Sequence, residues 1–157
     1  MNSLVAFIAT TILLLTITCN GQLDPGAEKV KVKTVIDQFA QAWETEDLEL
    51  LSRIMAHDAD MVNFGSDAPE HFVGWEAFKA AVEEMFPAFE NTTISVSDQV
   101  IKVHPSGKVA WFSQLWDWDV TVGGEPVRLE GCRFTGVLEK RNKDWVFVQF
   151  HNSVPVR

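Results

Sequence analysis

Strict alternation near the end of this chain limits what it can fold into. In Gly131-Cys132-Arg133-Phe134-Thr135-Gly136-Val137, Arg133 and Thr135 fall on one face of an extended strand, and Cys132 and Phe134 on the other. In Trp145-Val146-Phe147-Val148-Gln149-Phe150-His151-Asn152-Ser153, the same count puts Gln149, His151 and Ser153 on the face that Trp145 and Phe147 begin. A sheet face that starts aromatic and ends in Gln, His and Ser, beside Arg and Thr, predicts the wall of a pocket with a polar end. Something small would bind there.

The upstream sequence supplies the rest of that sheet and its cover. Val32, Val35, Ile36, Phe39, Ala40 and Trp43 recur at helical spacing. Thr45 can cap a second short helix with Leu48, Leu51, Ile54 and Met55 on its buried side. Short strands are predicted over 60–64 and 70–73, around the turn chemistry of Gly65 to Pro69. Trp75, Phe78, Val82, Met85, Phe86 and Phe89 mark a third amphipathic helix, stopped by Pro87. Beyond Asn91 the period is two. Ile94 and Val96 keep one phase, Ile101 and Val103 the other, and the slip at Asp98-Gln99 predicts a β-bulge. Val109 to Val122, a Gly123-Gly124 hairpin turn, Pro126 to Lys140 and Trp145 to Pro155 complete a run of long antiparallel strands. The class is α+β, with three helices from the N-terminal half packed on a curved, mostly antiparallel sheet.

The first 19 residues carry no charge, and Leu4 to Ile17 is an apolar and threonine run too short for a comfortable membrane span. Residues 1–21 read as a signal peptide or lipoprotein signal, with Cys19 as a lipidation candidate, 22–27 as a tether and 28–157 as the domain. This predicts a secreted or periplasmic protein that touches a membrane only through that signal or a lipid. The remaining stretch, about 136 to 138 residues, suits one domain. A net charge of −9 with no Lys/Arg cluster argues against nucleic acid and anionic membrane surfaces. Cys132 is the only cysteine beyond the signal, so no internal disulfide is possible, and beside Phe134 it reads as a buried small hydrophobe. Asn91-Thr92-Thr93 is a formal glycosylation sequon.

His151 is the candidate general base, because an imidazole titrates near neutrality. Arg133 interrupts an apolar strand. Buried there, its guanidinium needs a carboxylate, from a ligand or from Asp60, Asp117 or Asp119. Trp116 and Trp118 share a face that suits core, interface or a flat ligand. His57 and His104 sit by turns and read as exposed, and His57-Asp58-Ala59-Asp60 lacks a complete metal-ligand set.

The layout resembles the SnoaL-like branch of the nuclear-transport-factor-2-like superfamily. The resemblance is carried by Gly107-Lys108-Val109-Ala110-Trp111-Phe112, by Arg133-Phe134-Thr135-Gly136-Val137, by Gln149-Phe150-His151-Asn152-Ser153 and by Asp58 to Gly74, and it spans about 28–156. It implies a cone: a strongly bent sheet around a pocket closed by helices, with homodimers formed through the sheet. It implies no metal and no organic cofactor. Members include cyclases, dehydratases, isomerases, hydrolases and non-catalytic binders, and in the enzymes a His or Asp within the cone moves a proton. On that cone the ligand-binding set is Trp43, Phe64, His71, Trp111, Thr135, Gln149 and Ser153, with His151 and Arg133 as the catalytic pair. The leading expectation is a binder of a small carbonyl- or carboxylate-bearing molecule. The alternatives are a cofactor-free isomerase, dehydratase or cyclase, and a dimeric interaction domain.

Overall fold

The apolar stripe of the first helix decides where the sheet is covered. In a computed structural model, which describes residues 24–156, Val32, Ile36, Phe39 and Trp43 are all buried along α1 (Pro25–Glu44). The signal expected over residues 1–21, with Cys19 as its lipidation candidate, lies outside the described residues. The helix begins inside the stretch read as a tether: the Asp24 carboxylate accepts from Gly26 N at 2.9 Å, and Pro25 opens the first turn without costing a hydrogen bond. α2 (Leu48–Ile54) is capped by Asp47, whose side chain accepts from Leu50 N, and not by Thr45. Thr45 ends α1 instead, where its hydroxyl donates to the Gln41 carbonyl.

Two three-residue strands, β1 (Val62–Phe64) and β2 (His71–Val73), precede α3 (Trp75–Met85). A 3-10 turn, Phe86–Ala88, then leads into the long strands β3 (Phe89–Val103), β4 (Val109–Val122), β5 (Glu125–Arg141) and β6 (Asp144–Ser153). The sheet order is β2-β1-β6-β5-β4-β3. Every pairing is antiparallel except β1 with β6, where Phe64 lies opposite His151. The buried Asn63 ties that parallel junction by accepting from Phe150 N at 2.9 Å. Gly123 and Gly124 make the two-residue turn between β4 and β5, both with positive φ.

The register shifts at four places along the long strands, and two of these bulges bear on the site. One is the slip read from the sequence: pairing jumps between Ser97 and Val100, and Asp98 takes φ 50°. The other falls in β6. Leu138 pairs with Phe147 and Val137 with Gln149, so Val148 is the extra residue. The three helices pack on the concave face of this open, curved sheet. There the ring of Phe39 on α1 meets Phe134, Phe147 and Phe150 at 4.9, 5.0 and 5.3 Å between centroids. Such aromatic pairs each add about 0.5–1.5 kcal/mol beyond the area they bury.

Candidate functional site

The sheet and helices do not fill the cone. Between them lies a cavity of about 510 Å³. Its walls come from α1 (Phe39, Trp43), α3 (Phe78, Met85), β4 (Trp116, Trp118, Val120, Val122), β5 (Val127, Leu129, Phe134) and β6 (Phe150, Asn152). Alternation along β4 puts Trp116, Trp118 and Val120 on one side and Asp117 and Asp119 on the other, so the wall is aromatic and its back is acidic. The rings are ordered against one another. Trp116 stacks on Phe134 at 4.2 Å with 5° between planes, and Trp43 meets Trp118 edge-on at 5.2 Å.

Polar groups are few. Trp116 Nε1 donates to Asn152 Oδ1 at 3.1 Å, and both residues are buried. Trp43 Nε1 and Trp118 Nε1 are buried without a hydrogen-bond acceptor. At the rim, the 65–70 loop contributes Gly65, Ser66, Asp67 and Glu70. The loop pins itself: the Glu70 carboxylate accepts from Asp67 N at 2.9 Å, and Gly65 N donates to the Glu70 carbonyl at 2.9 Å. A side chain at Gly65 would strike the Glu70 carboxylate, so glycine is required for that closure. Among the described residues that line the cavity there is no His, Lys or Arg. Among the described residues as a whole, no group of three His, Cys, Asp or Glu side chains is placed to hold a metal ion.

The sequence-derived site residues fall mostly on the other side of the sheet. Trp43 lines the cavity as expected. His151 and Arg133 do share a face, but it is the convex one: Thr135 lies opposite His151, Arg133 opposite Ser153, and Val137 opposite Gln149. None of these residues lines the cavity, and both His151 and Arg133 are exposed. The physical reason is the Val148 bulge. It reverses the phase of β6, so Phe150 and Asn152, and not Gln149, His151 and Ser153, continue the inward face of Trp145 and Phe147. Arg133 is exposed and needs no buried partner, and two of the three candidate carboxylates are engaged elsewhere. Asp119 pairs with Arg128 at 2.8 Å, and Asp117 accepts from Gly131 N at 2.7 Å.

Phe64, His71 and Trp111 are also exposed outside the cavity. His71 stacks on Phe64 at 4.8 Å, and His151 meets the same ring edge-on at 5.7 Å. His57 and His104 are exposed as expected, and His57 lies flat on Trp75 at 4.5 Å. Cys132 is fully buried, and that burial pushes its thiol pKa up, so it stays protonated and inert. The sequence pattern did not mark the polar lining residues Asn152, Ser66, Asp67 and Glu70. Asn152 sits in phase with Phe134 and Phe150, a signal that was present but assigned to the wrong side.

A bent six-stranded sheet, three helices on its concave side and an aromatic cavity between them define an α+β cone domain. The family model described as a SnoaL-like domain matches residues 32–157, and the chain belongs to that family. Solved structures share the fold. One is a dehydratase candidate of the nuclear-transport-factor-2-like family from Streptomyces avermitilis, with TM-score 0.76, 18% identity, and coverage of 85% of this chain and 100% of that one. Another is a nuclear-transport-factor-2-like superfamily protein from Salmonella enterica serovar Typhimurium, with TM-score 0.75, 18% identity, and coverage of 85% and 95%. A third is a scytalone dehydratase candidate from Novosphingobium aromaticivorans, with TM-score 0.73, 14% identity, and coverage of 83% and 85%. At these identities the likeness is one of fold. No curated protein matches the chain.

Proposed function

We propose that this chain is a small-molecule-binding protein of the SnoaL-like family that works outside the cytoplasm and holds a flat, largely apolar ligand in its cone. The observation that carries this reading is the cavity, about 510 Å³ and walled by Phe39, Trp43, Trp116, Trp118, Phe134 and Phe150. That size and lining suit a molecule of two or three fused rings. An extracytoplasmic site of action rests on the uncharged, apolar first 19 residues. The isomerase-type alternative built on His151 and Arg133 has no support from their position, since neither reaches the cavity. Titration with the neutral probe N-phenyl-1-naphthylamine tests the binding reading. Its fluorescence should rise with 1:1 stoichiometry, and Leu129→Trp, which fills the cavity from its wall, should weaken it at least tenfold. No enhancement in the wild type, or enhancement unchanged in Leu129→Trp, would remove the proposal.

The convex face supports a second property, a homodimer. Trp111 on β4 is 46% exposed and Val100 on β3 is 51% exposed, and the strand register places both on that face with Leu115. An apolar patch of this kind on a sheet is a surface that association would cover. Light scattering should report twice the chain mass, and Trp111→Glu should return it to one. A monomeric wild type ends this reading.

A further inference from the structure

The polar groups of the cavity wall are unbalanced. An indole N–H can only donate, so Trp116 dictates how the Asn152 amide is turned. The oxygen of Asn152 must face Trp116, where it accepts at 3.1 Å, and the amide nitrogen must face away. The two ends of this amide are therefore not interchangeable. Asn152 lines the cavity, and the hydrogen bond that fixes its amide is made by its oxygen, which leaves the Nδ2 edge for the cavity. Trp43 and Trp118 add two more buried indole N–H groups without acceptors, and both of their rings line the same cavity. Apart from the Asn152 oxygen, which Trp116 occupies, the side-chain oxygen acceptors among the lining residues are on Ser66, Asp67 and Glu70. The two indole N–H groups have no accessible surface, so the donor that a ligand in the cavity can meet is the Asn152 amide nitrogen.

This inference rests on the cavity being a ligand site. We propose that Asn152 is the residue that selects the ligand, and that the ligand class is neutral, planar and largely apolar with one exposed acceptor oxygen, such as an aryl ketone or a lactone. A hydrocarbon of the same shape leaves the Asn152 N–H unmet. A carboxylate would be desolvated with no cation in the lining to receive it, and it would face Asp67 and Glu70 at the entrance. The same imbalance argues against ligands whose polar end is only a donor. Trp116 acts here as a positioning residue: it holds the amide and leaves the hydrogen-bonding edge of Asn152 to the ligand.

Three probes of one shape test the assignment: 2-acetonaphthone, 2-isopropenylnaphthalene (a CH₂ in place of the carbonyl oxygen) and 2-naphthoate. Binding to wild type, Asn152→Leu and Asn152→Asp is read by calorimetry and by quenching of tryptophan fluorescence, with near-UV circular dichroism as the folding check. The wild type should hold the ketone about tenfold tighter than the alkene, the effect of one ordinary hydrogen bond, and the naphthoate weakest. Both variants should lose the preference for the ketone while still binding the alkene. Asn152→Asp keeps an acceptor for Trp116 and so remains informative if Asn152→Leu does not fold. Equal binding of ketone and alkene in the wild type, a ketone preference that survives in a folded variant, or naphthoate binding tightest would overturn the role of Asn152 and leave the cavity reading standing. Failure of both neutral probes to bind would overturn the cavity reading, and this inference with it.

Discussion

Glu28 is an acid inside the fold, 5% exposed, and its charge is kept by its neighbours. Lys140 Nζ donates to it at 2.7 Å, Lys31 Nζ at 2.8 Å and Trp145 Nε1 at 2.8 Å. These donors, Lys140 foremost, hold its pKa at about 2 against an ordinary 4.5, despite the burial that pushes the other way. The contact fastens the first turn of α1 to the β5–β6 hairpin. A depressed carboxylate stabilises the fold fully above its unfolded pKa and loses that contribution as the pH falls through the folded value. Glu28→Gln should therefore cost on the order of 2–3 kcal/mol at pH 7. The gap between wild type and variant should shrink below pH 4.5 and close near pH 2. Urea denaturation of both proteins across that range measures it, and a gap that stays constant with pH would show that Glu28 contributes packing rather than charge.

At the scale of elements, the sequence was legible where one face of a strand is apolar and the other is not. β4 was read at Val109 to Val122 and is found there, and the Asp98-Gln99 bulge showed because the apolar phase visibly changes across it. The Val148 bulge left no such mark. Val146, Phe147 and Val148 are all apolar, so an extra residue among them shifts the register without disturbing the pattern. That one unreadable step turned Asn152, and not His151, toward the concave face. The β5–β6 contact is tight beside the bulge. A Cβ at Gly136 would lie 2.7 Å from the Phe112 ring and 2.8 Å from the Gln149 carbonyl oxygen. The backbone oxygen cannot swing away, so Gly136→Ala should destabilise by about 2 kcal/mol, as overpacking does. A chemical-denaturation midpoint equal to wild type would mean that the strands separate freely at this point.

For the whole molecule, the sequence carried the class, the element order and the family, because long periodic segments report local structure directly. It did not carry the lining of the cavity, because the concave side of a bent sheet is set by which face the helices cover, and that choice is a long-range packing event. Phe39 meeting Phe134 and Phe150 makes it. The polar face of β5 and β6 is left outside, where Arg133 and His151 can solvate. Arg133→Met and His151→Ala should each leave N-phenyl-1-naphthylamine affinity within about twofold of wild type, since surface changes away from a site shift energies by about 0.5 kcal/mol or less. A tenfold loss in either would place the binding site on the convex side.

The unpaired residue at Val148 also has a consequence for descent within the fold. Removing a single codon there would restore one-to-one pairing and keep every partner on either side, so the amide, and not the imidazole, would still look into the hollow. Bringing the imidazole inward would take a one-residue slip of the strand beyond the bulge, so the register past that kink decides which of the two side chains the hollow presents.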